Sequence, residues 1–160
     1  ILVNYLVDHD LSTLFIGYDE GWKQGIGLGK RTNQNFVGIP FLTLVMMIEY
    51  KCALAGIRVI RQEEAYTSKC SFADDEDICK HKEYAGRRVK RGLFRTGAGK
   101  LINADVNGSL NILAKGLKTL GKSVKDLLSQ AVRKSLIDHQ IQACSAPLIV
   151  TVGRQSSIAM

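Results

Sequence analysis

INADVNGSLNI, Ile102 to Ile112, opens on polar residues and gives way to an apolar row that only a helix aligns. Val106, Leu110, Leu113 and Leu117 fall on one side of a 3.6-residue period. Either Asn103 or Asp105 can cap that helix, since both side chains accept hydrogen bonds from orphan backbone amides. Asp105 has a second use. A hard divalent cation such as magnesium needs carboxylate oxygens from distant segments that a rigid sheet brings together. Helix cap and metal ligand both remain open on the local pattern.

Upstream of this stretch the chain reads as mixed α/β. Ile1 to Val7 reads as the end of a helix, and Leu11 to Tyr18, with Leu14, Phe15 and Ile16 consecutive, as a buried strand. Phe36 to Pro40 leads into a second helix, where Phe41, Leu44, Val45, Ile48, Cys52 and Ala55 form an apolar stripe closed by Gly56. Ile57 to Gln62 follows as a strand. From Thr67 to Gly99 the chain turns polar, basic and glycine-containing, the composition of an inserted hairpin, and Leu101 to Ala104 then returns to the core. The helix from Asp105 is expected to reach about Lys115. Segment 118–138 reads as helical, with Leu120, Val124, Leu127 and Leu128 on one side, and 139–160 as a poorly specified tail without acidic residues.

Composition agrees with a folded, basic domain. The 160 residues are 46% hydrophobic and carry a net charge of +7 at a pI near 9.3, which suits a polyanionic partner. Lys80 to Lys100 holds eight Lys and Arg residues against Glu83 alone. Within it Arg87, Arg88, Lys90 and Arg91 can neutralise phosphates, while Tyr84 and Phe94 offer rings to unpaired bases. A solvated hairpin face explains the same charges. The acidic run Asp74, Asp75, Glu76 and Asp77 reads as a solvent-exposed turn. No stretch approaches the roughly 20 apolar residues of a membrane span, and a chain opening on Ile1 with no secretory leader is expected to be the middle of something longer, in the cytoplasm. Four cysteines then read as reduced thiols, with Cys52 in the core and Cys144 in the tail.

Three collinear segments carry a resemblance: Gly21 to Pro40 (GWKQGIGLGKRTNQNFVGIP), Tyr50 to Phe72 (YKCALAGIRVIRQEEAYTSKCSF) and Gly86 to Ile112 (GRRVKRGLFRTGAGKLINADVNGSLNI). In this order they resemble the TnpB family, transposon-encoded (OrfB-type) relatives of type V CRISPR effectors, and the similarity extends from about residue 1 to 116. The resemblance implies a partial RNase H-like (RuvC-like) α/β fold with an inserted, degenerate ribbon or hairpin. Its implied divisions are a nuclease core over 1–66, a basic insertion over 67–100, the last catalytic segment over 101–117 and a divergent tail over 118–160.

By the same resemblance the protein is a metal-dependent, RNA-guided DNA endonuclease with DNA and guide RNA as partners, no membrane role and an open oligomeric state. Its metal is Mg2+, held by two Asp and one Glu. Asp105 matches the last Asp. The Glu usually ends the first strand, where this chain has Gly17; QEEAYTSK instead supplies a displaced glutamate, Glu64, with Glu63 as the alternative, since successive strand residues point to opposite faces. The first Asp is expected upstream of Ile1, with Asp8 and Asp10 poor substitutes in a helix-to-strand turn, so the chain is expected to be inactive alone. Lys69 and Lys23 join the expected nucleic-acid contacts, and Thr67, Ser68 and Lys69 either touch the backbone or close a strand-end turn. Most relatives carry a zinc ribbon of two CxxC pairs here. Cys70, Cys79 and His81 fall one ligand short and the second pair near Arg95 to Gly97 is replaced, so zinc is not expected. Tyr84, Val89, Leu93 and Phe94 would then hold the hairpin by packing. GIGLGK, Gly25 to Lys30, lacks the spacing of a nucleotide loop. A non-catalytic DNA- or RNA-binding remnant of a transposase is the alternative, and a decayed fragment the third.

Overall fold

The protein is represented by a computed structural model that describes residues 1–19, 41–124, 134–135 and 138. Along the chain these are α1 (Leu2–Asp8), β1 (Thr13–Tyr18), α2 (Phe41–Leu54), β2 (Arg58–Glu63), β3 (Arg87–Lys90), β4 (Leu93–Arg95), β5 (Leu101–Asn103) and α3 (Ala104–Thr119). Strands β1 and β2 pair in parallel, with Leu14 opposite Val59 and Gly17 opposite Gln62. Parallel neighbours need a crossover, and α2 lies within it.

Strand alternation sorts the core. Leu14 and Val59 share one face and pack on Leu6, Cys52 and Ile57 from α1, α2 and the turn before β2. Phe15, on the other face, packs with Phe72, Leu117 and Val124. The end of α2 is set by Gly56 at φ +71, with the Ile57 amide donating to the Cys52 carbonyl at 2.8 Å. The apolar stripe expected on α2 holds at Val45, Ile48 and Cys52. It fails at Leu44, which is 51% exposed because α2 is apolar nearly all round and leaves Leu42, Met46, Met47, Tyr50 and Leu54 exposed as well.

Two glycines bring α3 onto the sheet. A side chain at Gly116 would strike the Phe15 ring, and one at Gly17 would stand 2.7 Å from Ile112 Cδ1. Since residue 112 lies by 17 and 116 by 15, α3 runs antiparallel to β1. Its N-terminus therefore projects beyond the C-terminal edge of the parallel pair.

The insertion forms a second, antiparallel sheet in the order β3-β4-β5, with a bulge between Arg88 and Lys90. Leu101 to Asn103, expected to rejoin the core, pairs instead with β4, placing Phe94 opposite Ile102. Its own small core is Phe94, Ile102 and Ala104. Phe94 is 1% exposed and so cannot offer its ring to a base, whereas Val89, expected to pack, is 38% exposed on the edge strand. Helix α3 outruns its expected end by four residues and stops at Leu120, where Gly121 takes φ +69 and the Lys122 amide donates to the Leu117 carbonyl. That turn interrupts the single helix expected over 118–138, most of which lies outside the described residues, as do Trp22, Lys23, the GIGLGK stretch, Cys144 and the 139–160 tail.

Candidate carboxylate site and nucleic-acid interface

Asn103, not Asp105, is the cap of α3: its side chain accepts from the Asp105 and Val106 amides at 2.8 and 3.1 Å. Relieved of capping, the Asp105 side chain is 81% exposed and meets Arg88 Nη2 at 3.4 Å. An exposed pair at that distance contributes little to stability. Two turns along α3 on the same face stands Ile112, against Gly17, which puts Asp105 roughly 10 Å further out by helical rise.

The two glutamates part ways at the end of β2. Glu64 is half-buried, and its Oε2 would lie 3.0 Å from a Cβ on Gly17. The carboxylate thus occupies the space a residue-17 side chain would fill, at the C-terminal edge and on the α3 side of the sheet. Glu63 instead reaches Lys115 of α3; its side chain is 68% exposed and accepts from Lys115 Nζ at 2.6 Å.

What fixes Glu64 is a clamp that the sequence reading missed. Thr67 donates from both its amide (3.1 Å) and its hydroxyl (2.8 Å) to the Glu64 carbonyl. The turn beyond is gripped from α3. Asn111 Nδ2 donates to the Thr67 and Cys70 carbonyls at 2.9 and 2.8 Å. Asn107 Nδ2 donates to the Cys70 carbonyl at 2.9 Å, while its Oδ1 accepts from the Phe72 amide at 3.0 Å. Both asparagines are almost wholly buried. Their signal was present as two poor helix formers four residues apart inside a helix, where only a tertiary partner repays them. Thr67 therefore closes the strand-end turn, and Lys69 stays exposed beside it.

Within the acidic run Asp75 and Asp77 are exposed, as expected of a turn, but Asp74 and Glu76 are structural. Asp74 Oδ2 accepts from the Gly97 amide at 2.7 Å and from the Ser71 hydroxyl. Glu76, with a side chain only 8% exposed, accepts from the Ser71 amide at 2.7 Å and the Ala85 amide at 2.9 Å. The two carboxylates staple both ends of the β3-β4 hairpin to the turn that follows Cys70. Cys70 itself is fully buried, and its thiol donates to the Asp77 and Cys79 carbonyls. Burial pushes that thiol up from its ordinary value. Cys79 Sγ lies 3.4 Å from His81 Nε2.

Beyond this staple, Arg87, Arg88, Lys90 and Arg91 are all exposed on the hairpin. Among the described residues there is no group of three or more His, Cys, Asp or Glu side chains able to hold a metal. Glu64 and Asp105 supply oxygen donors of the kind magnesium takes, on one side of the sheet, but do not complete a site. No helix among the described residues is long and apolar enough to cross a membrane.

Residues 41–112 match the family described as Cas12f1-like, TNB domain. The chain is also 27% identical over 138 residues to the TnpB-like protein ORF457 of Acidianus two-tailed virus. That alignment covers 86% of this chain and 26% of the viral protein, so the chain spans about a quarter of the length of that relative.

Proposed function

We propose, on the premise of the TnpB-family membership that both matches support, that this chain is the C-terminal part of a transposon-associated, RNA-guided DNA endonuclease with a RuvC-like core. The observation that carries the reading is the Glu64 carboxylate standing in the side-chain space of Gly17, on the side of the sheet from which Asp105 projects. A glutamate lost from one strand is returned to the same edge by its neighbour.

In this reading Glu64 and Asp105 hold Mg2+, with at least one further ligand from outside the described residues. The ion's contribution is to polarise a phosphodiester and its attacking water. The chain's own part is to fix the carboxylates through the Asn107, Asn111 and Thr67 clamp, and to present DNA or guide RNA to Arg87, Arg88, Lys90, Arg91 and Lys69. Lys23 belongs to the same expectation. Glu63 is a partner of Lys115 and not a ligand.

The test is cleavage of a DNA target in Mg2+ by the complete guide-loaded protein of which this chain is the C-terminal part. Glu64→Gln and Asp105→Asn each lower the rate by at least 100-fold at unchanged DNA affinity, while Glu63→Gln stays within threefold of wild type. Full cleavage by Asp105→Asn would overturn the catalytic assignment and leave the binding-remnant reading.

A further inference from the structure

Arg87 begins β3, Arg95 ends β4, and the two are direct partners across the antiparallel ladder. Directly opposed residues point to the same face with Cβ atoms about 5 Å apart, so like charges there destabilise the hairpin. Both side chains are exposed, and no ion pair or hydrogen bond relieves either among the described residues. Asp74 and Glu76 are committed to the backbone amides of Gly97 and Ala85, each two residues from one of the arginines. Those two bonds tie both ends of the hairpin to one turn, and the backbones pack closely there. Gly97 leaves only 3.0 Å between a Cβ and the Ala85 carbonyl, and a Cβ at Gly86 would enter the Phe94 ring.

We infer that Arg87 and Arg95 form a clamp for one backbone phosphate of a nucleic acid, on the face of the hairpin opposite Arg88. The inference rests on the nucleic-acid reading above and deepens it. Two guanidiniums held in register offer paired donors to an anion whose charge cancels their repulsion. The contact is to phosphate and so fixes register without reading sequence.

The experiment is salt-dependent binding of a fluorescent, mixed-sequence single-stranded DNA to the full chain. The variants are Arg87→Gln, Arg95→Gln and their double, beside Lys90→Gln with Arg91→Gln. Each released phosphate contact removes about 0.7 from the slope of log K against log salt. One shared phosphate predicts that the double loses about 0.7, no more than either single, with affinity at least fivefold lower in 0.1 M salt. The same variants melt no lower than wild type in chloride, and lose the rise in melting temperature that inorganic phosphate gives wild type at matched ionic strength. A loss near 1.4 in the double overturns the shared site. Wild-type binding by the Arg87 and Arg95 variants, with weakened binding by the Lys90 and Arg91 variant, overturns the clamp and spares the nucleic-acid reading. Unchanged binding by all of them overturns both.

Discussion

Asn111 is the residue on which the site turns, because its one amide group donates to two carbonyls, Thr67 and Cys70, in a fully buried setting. Asn111→Ala takes the side-chain donor from the Thr67 carbonyl while the Cys70 carbonyl keeps Asn107, and Asn107→Ala takes the Asn107 acceptor from the Phe72 amide while the Cys70 carbonyl keeps Asn111. We expect each variant to lose about 1–3 kcal/mol in urea unfolding, the cost of one buried polar group losing its partner. Cys70 offers a second check at this scale. Its burial holds the proton on the folded thiol where the unfolded thiol has lost it, so stability falls as pH rises through about 8.5. Alkylation at pH 8.5, followed by mass spectrometry, should spare Cys70 in native protein and modify it in urea. Glu63 and Glu64 were legible in the sequence only as a pair, and the structure separates them by partner, Glu64 beside Gly17 and Glu63 on Lys115. The buried asparagines were not legible, because pattern reading assigns buried roles to apolar residues and solvent to amides.

Elements came through more clearly than their partners. The two parallel strands, α1, α2 and the start of α3 fall within a few residues of expectation, since apolar periodicity and Gly56 report local geometry directly. The allegiance of β5 to the hairpin sheet is a pairing choice made by Phe94 and Ile102, and no local pattern announces it. Between elements, Arg61 of β2 holds Glu49 of α2 through Nε and Nη2 at 2.6 and 2.7 Å. The Arg61 hydrogen bond lowers the Glu49 pKa, so this contribution is present above the unfolded carboxyl value of about 4.3 and is lost as pH falls through the folded one. Both groups are about a third exposed, which screens the pair. Glu49→Gln should therefore lower the melting temperature at pH 7 by only a few degrees, by about 5 °C at most, and not at all at pH 2.5. Gly116→Val tests the other face. Its side chain enters the Phe15 ring, and overpacking of this kind costs about 1–3 kcal/mol, read as a lowered urea midpoint at unchanged slope.

Across the whole molecule, α3 joins parts that share no sheet. Its first residue, Ala104, belongs to the hairpin core with Phe94 and Ile102, and Leu117 belongs to the core under the parallel strands with Phe72 and Phe15. Asn107 and Asn111, between those ends, tie the same helix to the turn from which the acidic staple springs. The staple draws both ends of the hairpin to the turn after Cys70 with carboxylates on backbone amides. Two consequences are open to hydrogen exchange. The Ala85 and Gly97 amides, bound by Glu76 and Asp74, should open together with the amides of β1 and β2 in one cooperative event, and excess EDTA should leave their protection unchanged. In Asn107→Ala with Asn111→Ala the hairpin amides should exchange at least tenfold faster than those of the sheet, because the helix no longer grips the turn that carries the staple. Loss of hairpin protection in EDTA with wild-type protein would mean that a metal, and not Asp74 and Glu76, holds the insertion closed.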